Sequence, residues 1–147
     1  MDSKKIRVLY VQPGKYPEER MIDNTLKTMQ ALVGGDIEAI YPWRDRACIV
    51  CDGESKLKDS PLNRPLEDYD ILAGNFFVCG LSGGDFTSLT DEQLKRYEKL
   101  YHTPILFMKT RMGFMPMPIT PEQYTKVMAD IESRNQARRG QHNHNER

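Results

Sequence analysis

A helix, a glycine stop and a strand follow one another within residues 22–42, and this run constrains the fold more than any other part of the chain. Its apolar residues recur at the spacing that lines one side of a helix: Ile22, Leu26, Met29, Leu32 and Val33. Asp23 or Asn24 is placed to cap the first free amides. Gly34 and Gly35 predict the end of the helix, because glycine adopts the left-handed conformation that closes a helix. The alternation that follows predicts a strand.

Two kinds of apolar pattern continue along the chain. Short β-branched or aromatic runs predict strands over residues 6–11, 37–41, 47–51, 70–80 and 104–108. Thr90 and Gln93 form a capping box for a second helix that ends near Tyr101, and Thr120 begins a third. The pattern predicts an α+β fold: a small mixed or antiparallel sheet of about four to five strands, two packed helices and an additional C-terminal helix.

The chain divides into four segments by composition. Residues 1–108 are expected to form the α+β core domain, and 109–119, where methionine alternates with proline, a linker or arm. Residues 120–139 predict a C-terminal helix, and 140–147 a disordered tail with no apolar period. The apolar stripe of this helix, Tyr124, Val127, Met128 and Ile131, must be buried on the domain or on a second copy of the chain.

The charge balance argues against two classes of partner. Acidic and basic residues number 21 each, so the formal net charge is zero and no overall field attracts DNA or an anionic membrane. No apolar run reaches the roughly 18 residues that a membrane span needs, and the first residues lack the pattern of a secretory signal. We therefore expect a cytoplasmic protein without DNA or membrane partners.

Cys48 and Cys51 have the spacing of a zinc or redox pair, but their context favours a structural role. They lie in a predicted strand, where residues three apart point to opposite faces, so the two thiols diverge. Neither Cys79 nor His102 supplies a second suitably spaced pair. We expect no metal site, no cofactor and no catalytic residues, since His102 is the one histidine outside the tail.

The polar segment PLNRPL, residues 61–66, is the first candidate for ligand binding. Its two prolines stiffen the backbone around Asn63 and Arg64 in what reads as a loop, which lowers the entropy cost of presenting these side chains. An arginine fork matches phosphate or carboxylate oxygens, and asparagine offers both a donor and an acceptor. The alternative is an arginine paired with Asp68 or Asp70, and the sequence leaves both open.

Glycines with an aromatic neighbour form the second candidate. Gly74 lets a ligand approach the backbone, Asn75 adds polar groups, and Phe76 offers a stacking surface if it is exposed, while Phe77 would then fill the core. The Gly74–Asn75 interruption predicts a bulge in the strand. Gly34 and Gly35 match neither the P-loop nor the dinucleotide fingerprint, and their contribution is expected from backbone amides.

These motifs together resemble those of a small family of uncharacterised proteins from phages and conjugative elements. The resemblance rests on VQPG, IDNTLKTMQALVGGDIEAIYP, PLNRPL, DILAGNFFVCG and DFTSLTDEQLKRY, and it covers about residues 6–107. The motif positions are Gly34, Gly35, Pro42, Asn63, Arg64, Gly74 and Phe76. Members of such a family look like accessory, early-expressed counter-defence factors with no established enzyme activity.

The resemblance implies a binding protein in the cytoplasm of the host cell. We expect a homo-oligomer that binds a nucleotide-derived immune signalling molecule and sequesters it without cleavage, through Asn63, Arg64, the glycine backbone and an aromatic ring. The alternative is a protein-interaction inhibitor that blocks a host defence enzyme directly, with residues 112–117 and the third helix as its contact surface.

Overall fold

A computed structural model describes residues 4–68 and 70–145, with side chains described as far as residue 140. Within that part the chain forms ten strands and three helices in an α+β arrangement. In order they are β1 (Lys5–Val11), β2 (Glu18–Asp23), α1 (Leu26–Val33), β3 (Ile37–Ile40), β4 (Ala47–Asp52), β5 (Leu62–Leu66), β6 (Asp70–Ala73), β7 (Phe76–Ser82), β8 (Asp85–Thr87), α2 (Asp91–Tyr101), β9 (Ile105–Thr110), β10 (Gly113–Pro118) and α3 (Pro121–Asn145).

The main sheet confirms the predicted fold class. Its strand order is β2-β1-β7-β4-β3, with β8 paired to β7, and every pairing is antiparallel. Strands β1, β7 and β4 lie at its centre, and their apolar residues are buried on both faces. Continuous apolar runs such as those of β4 and β7 are typical of a sheet that is covered on both sides.

Each face of the sheet has its own core. On one face, α1 contributes Met29 and Val33 to a cluster that contains Cys48 and Cys79. On the other, α2 and the β5–β6 hairpin cover a cluster that contains Cys51. The prediction that the CxxC thiols point to opposite faces is therefore confirmed, and the alternation of side chains along β4 is its cause.

The helix ends follow the sequence signals with one exception. Gly34 ends α1 in the left-handed conformation, with φ 87°, as predicted. The N-cap of α1 is Thr25, whose hydroxyl accepts a hydrogen bond from the Thr28 backbone N–H. Neither Asp23 nor Asn24 has this role. The capping box at the start of α2 is present in both directions between Thr90 and Gln93.

Two segments differ from the predicted loop and bulge. Residues 62–66 of the predicted loop form strand β5, which pairs with β6 in a separate two-stranded sheet. Residues 70–80 are two strands and not one bulged strand, because the chain leaves the small sheet at Gly74 and enters the main sheet at Phe76. Gly74 has φ 75°, which accounts for the change of direction at a residue without a Cβ.

The predicted linker forms part of a β-hairpin. Strands β9 and β10 pair with Met108 opposite Met115 and Leu106 opposite Met117. The Ile119 N–H donates to the Pro104 carbonyl, so hydrogen-bonded pairs alternate from there towards the turn. Pro116 and Pro118 thereby fall at positions whose N–H would point away from β9, where a missing donor costs no pairing and the free edge is blunted.

Helix α3 continues to Asn145, beyond the predicted end at residue 139, so most of the predicted tail is helical and its last two residues lie outside the described part. Among residues 121–140, α3 buries little of its surface, and its partly buried side chains all lie between Pro121 and Met128. None of the helices in the described part of the chain combines the length and the apolar character that a bilayer crossing requires.

Candidate functional site

The structure places Asn63 and Arg64 inside the molecule. Asn63 is fully buried and Arg64 is 1% exposed, and both belong to strand β5. The Asn63 amide donates to the carbonyls of Val11 and Gly74 at 3.1 and 2.8 Å. These carbonyls lie where β1 ends and where the chain passes from β6 to β7, so Asn63 satisfies backbone groups at two strand ends.

Arg64 joins three parts of the chain through carbonyl oxygens. Its Nε donates to Tyr101 O at 3.0 Å, its Nη2 to Lys15 O at 2.6 Å, and its Nη1 to the Oδ1 of Asn63 at 2.9 Å. Tyr101 is the last residue of α2, so the guanidinium satisfies a carbonyl at the negative end of the helix. Burial lowers the pKa of Arg64 to about 10, and the group stays charged at neutral pH.

This arrangement corrects two expectations about the PLNRPL segment. The Arg64 fork is not presented to a ligand, because all of its hydrogen bonds in the structure are made inside the protein. It is not paired with Asp70 either, whose carboxylate lies 2.5 Å from Lys56 Nζ. Phe76 and Phe77 are both fully buried, on opposite faces of the sheet, so neither ring is free to stack on a ligand.

Three other predicted residues do meet at one surface cleft. Gly34, Gly74 and Asn75 line a cavity of about 430 Å³, which we call the glycine cleft. Its remaining lining residues are Gln12, Pro13, Lys15, Val33, Asp52, Lys58, Ser60, Pro61, Tyr124 and Met128. The volume is within the range of small-molecule sites. Tyr124 and Met128 show that α3 supplies one wall.

Close packing fixes the backbone around the glycine cleft. A Cβ added to Gly35 would lie 2.6 Å from both Asp52 Oδ2 and Lys58 Nζ, so the ion pair rests directly against this glycine. A Cβ on Gly14 would overlap the ring of Tyr124 at 2.0 Å, which shows that α3 is seated on the Gly14 backbone. Larger residues at either position would displace a wall of the cleft.

The glycine cleft contains one ion pair and one free cation. Lys58 Nζ lies 2.8 Å from Asp52 Oδ2 and donates to Gly34 O at 3.3 Å. The hydrogen bond from Lys58, followed by that from the Glu54 N–H, lowers the pKa of Asp52, and the same pairing raises the pKa of Lys58. The Lys15 side chain is exposed and has no ion pair within the described residues, so the cleft carries an excess positive charge.

A larger cleft lies beside the bend that precedes β4. Its volume is about 740 Å³, and we call it the Trp43 cleft. Its lining residues are Trp43, Arg44, Asp45, Glu67, Arg96, Tyr97, Lys99 and Leu100. The rings of Trp43 and Tyr97 pack against each other with centroids 4.3 Å apart and planes tilted by 30°, and Leu100 is largely exposed. The floor is therefore aromatic and aliphatic, and the rim is charged.

Asp45 anchors the Trp43 cleft to α2. Its carboxylate accepts hydrogen bonds from Tyr97 Oη at 2.6 Å, Arg96 Nη1 at 2.7 Å, Gln93 Nε2 at 3.1 Å and the Arg46 N–H at 2.7 Å. Burial alone would raise the pKa of Asp45, but these donors outweigh it and the pKa is lowered. Burial and the Asp45 carboxylate together raise the pKa of Tyr97 well above its ordinary value, so Tyr97 stays protonated.

No site was predicted in residues 43–46 from the sequence alone, and this cleft was missed. A signal was present: Trp43 is the only tryptophan of the chain, and it begins a polar bend that continues with Arg44, Asp45 and Arg46. A lone tryptophan in a polar bend is a candidate for an exposed stacking surface. The α2 residues that pair with the bend could not be predicted from the sequence, because their positions depend on how the helix packs on the sheet.

His102 and the cysteines belong to neither cleft. His102 stacks on Tyr16 with ring centroids 5.0 Å apart and lies 3.2 Å from a Glu98 carboxylate oxygen. The three thiols are buried, with Cys48 Sγ and Cys79 Sγ 3.7 Å apart, and burial raises the pKa of Cys51 to about 11. Among the described side chains, those of residues 4–68 and 70–140, no group of three or more ligands is placed to hold a metal ion.

Comparison with known proteins gives one finding. Residues 6–102 match the model of a family described as "Domain of unknown function (DUF3846)". The match includes every lining residue of the Trp43 cleft and leaves β9, β10 and α3 outside. Neither a curated protein nor a solved structure matches the chain. The expectation of an uncharacterised family is confirmed, and the phage or conjugative-element origin stays a prediction. With about two thirds of its length matched, the chain belongs to the DUF3846 family.

Proposed function

We propose that this protein binds a small nucleotide-derived anion in the glycine cleft and holds it without cleaving it. The observation that carries the proposal is the meeting of Gly34 with Gly74 and Asn75, from two separate parts of the sequence, around one cavity with lysines at its wall. The expected contribution of glycine amides is wrong, because the N–H groups of Gly34 and Gly74 already donate to Gln30 O and Pro61 O at 2.8 and 2.7 Å. Anion binding therefore falls to the side chains, and Lys15, which has no ion pair within the described residues, attracts phosphate.

The chemistry of the cleft favours retention over turnover. A general base needs a carboxylate that is free to accept a proton from substrate. Both oxygens of Asp52 are already engaged, Oδ2 by Lys58 and Oδ1 by the Glu54 N–H at 2.9 Å. The hydrogen bonds that lower its pKa also make it a poor base.

The biological setting of the proposal comes from the resemblance to phage and conjugative-element proteins. In that setting the protein is a counter-defence factor in the host cell cytoplasm, and its ligand is an immune signalling molecule. Sequestration requires tight binding and a high copy number, and a homo-oligomer supplies several sites per assembly.

A retention experiment tests binding and cleavage together. Purified protein is incubated with cyclic dinucleotides, cyclic ADP-ribose and ADP-ribose, separated from free ligand, and heated to release what it holds. We expect intact ligand from the wild type and at least about tenfold less from Lys15→Glu, since one charge-assisted contact is worth about 1.4 kcal/mol or more. Lys15 contributes to the fold through its backbone N–H and carbonyl, and its side chain makes no hydrogen bond within the described residues, so this variant should remain folded.

The matched control is Lys27→Glu, an exposed charge reversal on α1 away from the cleft. It should retain as much ligand as the wild type. Recovery of hydrolysis products would show an enzyme and contradict sequestration. Retention of none of these ligands, or equal retention by Lys15→Glu, would contradict binding in the glycine cleft.

The exposed hairpin favours a second candidate function, direct inhibition of a host defence enzyme. Strands β9 and β10 and their turn carry a set of large apolar side chains that are at least 41% exposed: Met108, Met112, Phe114, Met115 and Met117. Apolar surface of this kind marks a protein contact, and methionine adapts to varied partners. The blunted edge of β10 directs such contact to the face of the hairpin.

Charge on that face separates the two candidate functions. The double variant Met115→Asp with Met117→Asp should abolish protection of phage in a defended host if the hairpin is the contact surface. Met21→Asp, an exposed methionine on β2, is the control. If protection survives the double variant but is lost with Lys15→Glu, the glycine cleft carries the function.

A further inference from the structure

We propose that the Trp43 cleft is a separate binding site for an aromatic anion of mononucleotide size, a planar ring that carries a phosphate or carboxylate group. This inference is independent of the glycine cleft, with which the Trp43 cleft shares no lining residue. It rests on a rigid frame, an apolar floor and cations that have no carboxylate partner within the described residues.

The frame of the Trp43 cleft is fixed before any ligand arrives. Four donors hold the Asp45 carboxylate, and one of them, Gln93, is itself fixed by the capping box with Thr90. Gln93 also donates to Arg46 O at 3.0 Å, so the bend is tied to α2 at both Asp45 and Arg46. A preformed site loses less conformational entropy on binding, which favours affinity for a small ligand.

The floor of the cleft suits a flat ring. Trp43 is partly buried against the core cluster that includes Tyr97, and the packing of the two rings restricts the indole. Leu100, 55% exposed, extends the apolar surface along α2. An aromatic ring laid on this surface gains stacking and apolar burial together, and base–aromatic stacking contributes about 1–3 kcal/mol.

The rim of the cleft suits an acidic group on that ring. Arg96 is committed to Asp45, but the exposed side chains of Arg44 and Lys99 have no carboxylate partner within the described residues. An anion that binds here therefore breaks no existing ion pair. Arg44 presents a planar fork to phosphate or carboxylate, and Lys99 adds a second charge.

Glu67 completes the opposite wall and limits what the ligand can be. It lies at the turn between β5 and β6 with φ 52°, and it has no cationic partner within the described residues. Its carboxylate would repel a simple dianion and would accept a hydrogen bond from a ring N–H or a hydroxyl group. A ligand with its acidic group at one end and a hydrogen-bond donor at the other, such as a nucleoside monophosphate, satisfies both walls.

The single tryptophan makes the site directly observable. In a ¹⁵N-labelled full-length protein, the one indole N–H resonance belongs to Trp43, and it can be followed while AMP, GMP, CMP and UMP are titrated. We expect at least one of the four to shift this resonance saturably at about 1 mM or below, the range of weak small-ligand binding. The matching nucleoside should bind at least about tenfold more weakly, because it lacks the anion.

Charge reversals at the rim test whether the anion lies beside Lys99 and Arg44. Lys99→Glu should weaken the shift by about tenfold or more, and Arg44→Glu should do the same, whereas Lys95→Glu, an exposed charge reversal one turn earlier on the helix, should leave it unchanged. Absence of a shift with all four nucleotides, or equal affinity in Lys99→Glu and the wild type, overturns the inference. A shift lost in Lys15→Glu but kept in Lys99→Glu also overturns it, and would place the nucleotide in the glycine cleft.

Discussion

Arg64 on strand β5 and Arg44 in the bend at residues 43–46 both lie in a short polar segment, yet the fold uses these two arginines in opposite ways. Arg64 on β5 is enclosed, and its hydrogen bonds go to carbonyls within the protein. Arg44 in the bend is exposed and has no carboxylate partner among the described residues. The comparison shows that residue type sets the chemistry that is available, whereas burial decides whether that chemistry serves folding or binding.

The difference has a topological cause. Strand β5 lies where three chain segments end without a regular partner: the end of β1, the end of α2, and the crossing from β6 to β7. Their carbonyls need donors once water is excluded, and Asn63 and Arg64 supply them. The bend before β4 faces α2 at the surface, where Asp45 and Arg46 O accept from the helix side chains and Arg44 has no carboxylate partner among the described residues.

Replacing Arg64 or Arg44 with alanine should give the largest difference in the free energy of unfolding. Arg64→Ala should destabilise the protein by about 4 kcal/mol, because the carbonyls of Tyr101, Lys15 and Asn63 lose a donor at a cost of about 1–3 kcal/mol each. Arg44→Ala should change the free energy of unfolding by less than about 0.5 kcal/mol. Urea unfolding followed by circular dichroism measures both, and equal effects would contradict the division of roles.

The two asparagines extend the comparison to a neutral side chain. Asn63→Ala should cost about 2–3 kcal/mol, since the carbonyls of Val11 and Gly74 both lose the amide that donates to them. Asn75→Ala, in the glycine cleft, removes a single long contact of 3.5 Å to Leu32 O and should cost less than about 0.5 kcal/mol. The same unfolding measurement applies, and a larger loss for Asn75→Ala would mean that Asn75 is a structural residue.

Individual residues show which parts of the fold and of the clefts local sequence signals can predict. Local signals were sufficient for α2, where the Thr90–Gln93 capping box is present as predicted, and for the end of α1 at Gly34. Strand β5 was missed because its prolines and charges read as a loop, and its pairing with β6 depends on a turn that the local pattern does not reveal. Gly34, Gly74 and Asn75 were recognised as candidates, but their meeting in one cleft is a property of the fold.

Acid should distinguish the anchored bend from the rest of the surface. The donors around Asp45 lower its pKa below the ordinary value of 3.8, so this carboxylate stabilises the folded state above that pH. The contribution is lost as the pH falls through the lowered pKa. Asp45→Asn should therefore be less stable than the wild type at pH 7, and the gap should narrow between about pH 4 and pH 2.

Urea unfolding at a series of pH values, with Trp43 emission as the signal, follows the acid effect at the bend itself. Asp85→Asn is the control, because the Asp85 side chain makes no hydrogen bond or ion pair within the described residues. Its stability should follow that of the wild type across the series. A gap between Asp45→Asn and the wild type that stays constant to pH 2 would show that the anchor works through packing and not through charge.

The smallest effect lies at Glu67, where the buried strand and the exposed cleft meet. Glu67 directly follows β5 and lines the Trp43 cleft, and its φ of 52° is a left-handed conformation that costs an L-residue about 1 kcal/mol. Glu67→Gly removes that strain, partly offset by the entropy of glycine in the unfolded chain, and should stabilise by about 0.5 kcal/mol. Asp59→Gly, at φ 56° outside the cleft, should stabilise equally.

Only Glu67→Gly should also weaken the nucleotide-dependent shift of the Trp43 indole, because only that variant removes an acceptor from the cleft wall. Equal behaviour of the two variants in the titration would remove Glu67 from the binding site and leave it a turn residue.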